Sequence, residues 1–129
     1  MIYVDTSVLL AELLAEDHHP SADFWAGSLV SSRLAEYEVW TRLNARKLGA
    51  THGEAARLLV GRMALVEMVS PVLTRAMEPF PHPVRTLDAL HLASIAFLRD
   101  RRVPVILATY DGRLRAAAEA MGIPLAAIG

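Results

Sequence analysis

Carboxylates carry the chemistry open to this chain, which has no cysteine and, among its thirteen basic residues, a single lysine, Lys47. Asp5 closes the β-rich run Ile2-Tyr3-Val4, and Asp111 follows the apolar run Val103 to Ala108. Asp88 falls in the first turn of a helix opened by Thr86. Each has an ordinary role available: Asp5 as a helix N-cap, Asp88 as a complement to the helix dipole, Asp111 in an Asp-Gly turn. Those roles leave unexplained why three acids are expected at one edge of one sheet. A fourth is chosen between Glu36 and Glu38, which share a helix and lie about 160° apart around it, so that one faces inward. Glu38 runs with Leu34, Tyr37, Thr41, Ala45 and Leu48, whereas Glu36 shares its side with Leu43 and Lys47, and this selects Glu38. A charge at the margin of an apolar stripe is costly without a partner such as a metal, although an exposed stripe edge is the alternative.

Clustered carboxylates with no lysine among them and few nearby histidines suit a hard cation, Mg2+ or Mn2+, and not zinc. Such a site polarises a phosphodiester and activates water, and two ions would stabilise both attacking and leaving oxygens. The reaction class is phosphoryl hydrolysis. Without a cation, four acids in one pocket repel one another, which raises some of their pKa values and destabilises the fold.

Composition bounds the rest. A chain of 129 residues and 14.1 kDa is expected to form a single domain over 1–129. With 53% hydrophobic and 21% charged residues it is too apolar for disorder. A net charge of -1 provides no global basic field, so a polyanion must be held locally. The absence of cysteine excludes disulfides, Cys-rich zinc sites and thiol nucleophiles, and fits a cytoplasmic protein. No Gly-rich loop ends in Gly-Lys-Ser/Thr, which excludes P-loop hydrolysis. The N-terminus lacks the basic start of a secretory signal, and no apolar run reaches the roughly 18 residues of a membrane span.

These acids need elements to hold them. Ile2-Tyr3-Val4 reads as a strand and Asp5-Thr6-Ser7 as the start of a helix through Leu14. A second helix is expected from Pro20 through Leu29, a brief strand at Leu29-Val30-Ser31, and a third helix capped by Ser32 and ending near Gly49. A fourth runs from about Gly53 to Leu65, with Val66 to Val69 closing as a strand before Pro71. Pro79-Phe80-Pro81-His82-Pro83 is a loop. Thr86 caps the next helix, Val103 to Ala108 is the best strand, an Arg- and Ala-rich helix runs to about Met121, and a last strand lies near Pro124 to Ile128. Alternating strands and helices predict a mostly parallel sheet covered on both faces, with ligands at the carboxyl ends of the strands.

Four segments in order resemble the PIN-domain ribonucleases, and among them the VapC-type toxins of toxin-antitoxin pairs. They are Ile2-Tyr3-Val4-Asp5-Thr6-Ser7, the pattern Ser32-x-Leu34-x-x-x-Glu38, the run from Arg85-Thr86-Leu87-Asp88 to His91-Leu92-Ala93, and Thr109-x-Asp111-x-x-Leu114. The resemblance spans essentially the whole chain. It implies a three-layer α/β/α sandwich with a four- or five-stranded, mostly parallel sheet. It also implies that Asp5, Glu38, Asp88 and Asp111 surround one or two Mg2+ or Mn2+ ions and hydrolyse RNA. Thr6, Ser7 and Thr109 would orient carboxylates or water; for Thr6 and Ser7, helix capping stands beside that role. The implied partners are an RNA substrate, a small VapB-like antitoxin that pushes a basic side chain into the acidic pocket, and a second toxin copy within a homodimer or larger assembly.

Outside the motifs, Arg113, two residues beyond Asp111, is a candidate phosphate contact, while Arg101 and Arg102 read as a solvated helix end. His91 is expected to pack against the sheet and hydrogen-bond a carboxylate or carbonyl, and is left out of the catalytic set. Trp25, Trp40 and Phe97 read as core or interface, and Val39 with Leu43 as an outward contact for a subunit or antitoxin. Two other readings stay open: a PIN nuclease of RNA processing without an antitoxin, and a catalytically inactive binding module of this fold. A phospho-accepting receiver fits poorly, because no lysine follows the last strands.

Overall fold

Side chains on successive strand residues point to opposite faces, and in the computed structural model, which describes all 129 residues, that alternation divides the core in two. Strands β1 (Ile2–Val4), β2 (Leu29–Ser32), β3 (Ala64–Val66) and β4 (Ile106–Ala108) are all parallel, in the order β3-β2-β1-β4. Tyr3, Val30, Val66 and Leu107 pack toward α4 (Ser70–Ala76), α5 (Thr86–Asp100) and α6 (Gly112–Ala120). Val4, Leu29 and Ala108 pack the other way, toward α1 (Thr6–Leu13), α2 (Arg33–Ala45) and α3 (Gly49–Val60). The result is the expected α/β/α sandwich with four strands. No helix is long and apolar enough to cross a membrane.

The chain steps outward from β1 to β2 to β3 and then returns to lay β4 on the far side of β1. The reversal between β1 and β4 leaves a crevice beyond their carboxyl ends, the place where open parallel sheets bind ligands. Register fixes its walls: Val4 lies opposite Ala108, and the Asp5 N–H donates to the Ala108 carbonyl at 3.3 Å.

Several boundaries differ from expectation. The segment after Pro20 forms only a 3-10 turn, Ala22–Ala26. The third helix ends at Ala45, and Gly49 opens α3. β3 lies earlier than expected, at Ala64–Val66, and β4 occupies only Ile106–Ala108, since Pro104 brings no N–H to the ladder. The last strand reduces to one bridge between Leu125 and Leu107. α4 was not anticipated: Pro71 sits in its first turn, where the missing N–H is free of cost, and Val72 is its one buried residue, too little to make an apolar period. Thr86 is the first residue of α5 and Arg85 occupies the cap position. Ser32 does cap α2, its hydroxyl accepting from the Ala35 N–H at 3.2 Å. Gly122 follows α6 with φ of 70°, a left-handed conformation suited to glycine.

The outward face assigned to Val39 and Leu43 is corrected. Both are fully buried, with Ala35, against α1 and α3, while Tyr37 is 66% exposed. α2 packs against both α1 and α3, and this turns inward a different stripe from the one inferred. Glu36 and Glu38 flank that stripe on opposite sides. Glu36 pairs with Arg33 at 3.1 Å, and Glu38 turns to the crevice.

Candidate active site

Three helix N-termini meet the crevice, and each brings an acid. Asp5 is the N-cap of α1, its Oδ1 accepting the Val8 N–H at 3.2 Å. Asp111 caps α6, its Oδ1 accepting from the Arg113 N–H at 2.9 Å and the Leu114 N–H at 3.2 Å. Asp88 sits in the first turn of α5 and its Oδ2 accepts the Arg85 N–H at 3.3 Å. The cap read for Asp5 and the first-turn place read for Asp88 are present, whereas Asp111, read as a turn residue, caps a helix; these contacts aim the carboxylates, since a helix start presents N–H groups and partial positive charge that hold an anion in place. All three acids, with Glu38 from α2, line one open cleft of about 1170 Å³.

Asp5 is the most constrained. It is 3% exposed. The Ser7 hydroxyl donates to its Oδ1 and the Thr109 hydroxyl to its Oδ2, each at 2.6 Å. Those hydroxyls are themselves held: Ser7 Oγ accepts the Tyr110 N–H and Thr109 Oγ1 the Asp111 N–H, both at 2.9 Å. The end of β1 is thus tied to the end of β4. Burial pushes the Asp5 pKa above its ordinary 3.8, against the pull of the Ser7 and Thr109 hydrogen bonds. Asp88 is also buried, at 8% exposure, and Asp111 is exposed at the mouth.

Glu38 is held from both helical layers. The Thr6 hydroxyl donates to its Oε1 at 2.8 Å, and His91 Nε2 lies 2.8 Å from the same oxygen. His91 is 4% exposed on α5, packed edge-on to the Tyr3 ring, and its Nδ1 lies 2.9 Å from the Tyr3 hydroxyl. The expected carboxylate contact of His91 is this one.

All four predicted acids, Thr6, Ser7 and Arg113 line the cleft, and Thr109 lies behind it at its Asp5 wall. Sequence reasoning missed Arg42 and Arg85, which line it too. Arg42 stands one turn beyond Glu38, a spacing that could have found it. Arg42, Arg85 and Arg113 have no carboxylate partner, whereas Arg33, Arg57 and Arg75 each pair with glutamate. An acidic floor with an unpaired basic rim suits a phosphate chain laid over a cation.

In this conformation no three His, Asp or Glu side chains converge tightly enough to grip one ion among themselves. The donors nevertheless fit a hard cation in kind, being oxygen-only and partly desolvated. Mg2+ commonly takes one or two carboxylates and keeps several waters, so a full protein cage is not required.

The family model of the PIN domain matches residues 2–120. The chain belongs to the PIN-domain family, in its VapC-type ribonuclease branch. Ribonuclease VapC47 of Mycobacterium tuberculosis (strain CDC 1551 / Oshkosh) is 30% identical over 136 positions, spanning 100% of this chain and 98% of the relative. Ribonuclease VapC46 of Mycobacterium tuberculosis (strain ATCC 25618 / H37Rv) is 33% identical over 135 positions, spanning 98% of this chain and 96% of the relative. The crystal structure of Mycobacterium tuberculosis VapC20, described as a sarcin-ricin loop cleaving toxin, shares the fold. It matches with a TM-score of 0.68 at 24% identity, over 91% of this chain and 95% of that one.

Proposed function

We propose that this chain is a Mg2+- or Mn2+-dependent endoribonuclease, the toxin of a toxin-antitoxin pair, acting in the cytoplasm. The observation that carries the reading is the convergence of Asp5, Glu38, Asp88 and Asp111 on one cleft at the β1/β4 reversal, with Asp5 buried in a cradle of hydroxyls. One or two ions would be held by these acids and, when bound, would supply Lewis acidity to the phosphodiester and to water. The chain's own part is arrangement. Ser7 and Thr109 orient Asp5, Thr6 orients Glu38, and the helix starts fix Asp88 and Asp111. Arg42, Arg85 and Arg113 receive the flanking phosphates, which gives a molecule of net charge -1 a local hold on RNA. An antitoxin whose basic side chain enters the acidic cleft would block it by occupying the same charge.

The test is cleavage of a mixed cellular RNA pool by the purified protein in Mg2+, Mn2+ or EDTA, beside Asp88→Asn prepared identically. Metal-dependent cuts that vanish in the variant are expected. Cleavage unchanged in EDTA or in Asp88→Asn would contradict the reading. In EDTA, where RNA is bound without being cut, replacing Arg42, Arg85 or Arg113 by Gln should each lower the salt slope of single-stranded RNA binding by about 0.7. Unchanged slopes would remove the rim from the account.

A further inference from the structure

Tyr3 is fully buried in the middle of β1, yet it brings a hydroxyl into the core where phenylalanine would fill the same space. Its oxygen lies 2.9 Å from His91 Nδ1, and the opposite ring nitrogen lies 2.8 Å from Glu38 Oε1. The Thr6 hydroxyl donates to that same oxygen at 2.8 Å. β1, α5, α2 and α1 are therefore joined in one hydrogen-bonded chain that passes over the carboxyl edge of the sheet from one helical layer to the other. Glu38 has no other side-chain contact that fixes it, and Glu36, two residues away, is instead engaged by Arg33 on the opposite flank.

We propose that Tyr3 and His91 are positioning residues that hold Glu38 at the cleft, an inference that rests on the metal-site reading above. A carboxylate oxygen only accepts, so His91 Nε2 carries the hydrogen it shares with Glu38. Nδ1 of the neutral ring is then an acceptor, and the Tyr3 hydroxyl, donating into it, selects that tautomer. The Tyr3 hydroxyl thus acts through His91: it sets which ring nitrogen faces Glu38 as a donor, as outer partners of metal ligands commonly do. Glu38 Oε1 is committed to His91 and Thr6, which leaves Oε2 for the cleft.

Two measurements on the full chain test this. Long-range proton–nitrogen NMR of the histidine rings reads the tautomer without any metal, and hydrogen on Nε2 of His91 with a bare Nδ1 is expected. Hydrogen on Nδ1 with Nε2 bare would overturn the proposal, since that ring cannot donate to Glu38. The second measurement is calorimetric titration of Mn2+ into wild type, Glu38→Gln, His91→Leu, His91→Gln and the Glu38→Gln/His91→Leu double variant. His91→Leu should weaken Mn2+ by about tenfold. His91→Gln, whose amide still donates toward Glu38 and which keeps the test open should His91→Leu fail to fold, should recover part of the loss. The double variant should bind no more weakly than Glu38→Gln alone. Losses that multiply in the double variant would overturn the proposal, because His91 would then act independently of Glu38. A wild type that binds no Mn2+ while His91 is the Nε2–H tautomer would fail the metal reading and leave the positioning of Glu38 standing.

Discussion

Burial and hydrogen bonding pull the Asp5 carboxyl in opposite directions, and burial prevails, so its pKa stands above 3.8. Between the ordinary value and the raised one the folded protein holds a proton that the unfolded chain has lost. Stability therefore falls as pH rises through that window and is flat above it, at about 1.4 kcal/mol for each unit by which the pKa is raised. Asp5→Asn removes the charge and keeps acceptor and donor atoms for Ser7, Val8 and Thr109. Its stability relative to wild type, measured by urea unfolding in EDTA, should be independent of pH where Asp5 is protonated in both states, grow as pH rises through that window, and level off above it. A difference independent of pH would contradict the assigned cause. At this scale the acids themselves were legible, because an Asp at the end of an apolar strand and before cap residues has few places to go. The hydroxyl cradle of Ser7 and Thr109 was legible only through family resemblance. Of the Tyr3–His91–Glu38 chain, the bond of His91 to a carboxylate was legible, but not its partners Glu38 and Tyr3, which lie 53 and 88 positions away across two layers.

Helix α2 shows what pattern reading of an element can and cannot reach. Its start was readable from Ser32, a residue whose hydroxyl caps the helix in the structure. Its inward stripe was not, because Tyr37 and Thr41 compete with Val39 and Leu43 at the same helical period beyond the buried Leu34 and Ala35, and only the neighbours α1 and α3 decide between them. Leu43→Ala should accordingly cost about 2–5 kcal/mol of unfolding free energy. Tyr37→Ala should stay within about 0.5 kcal/mol. Equal effects in denaturant titration would mean that the buried face is assigned wrongly. The strands posed the opposite difficulty. Three or four residues suffice for each in a sheet buried on both faces, so their apolar runs continue into loops and blur the ends.

For the molecule as a whole, alternation of strands and helices was enough to foresee a parallel sheet between two helical layers. The order β3-β2-β1-β4 was not written in any one segment, and it is this order that brings Asp5 and Asp111 to adjacent strand ends. A cation held there, as proposed, would offset the cost of the buried Asp5 charge, so metal binding and stability would be linked: a ligand at a hundred times its Kd adds about 2.7 kcal/mol. The most direct measurement is the thermal midpoint of wild type and Asp5→Asn as Mn2+ is raised into the millimolar range from an EDTA baseline. The wild type is expected to gain several degrees, and Asp5→Asn to start higher and gain less. A wild-type midpoint that does not move with Mn2+ or Mg2+ would contradict the shared cation site on which the nuclease reading depends.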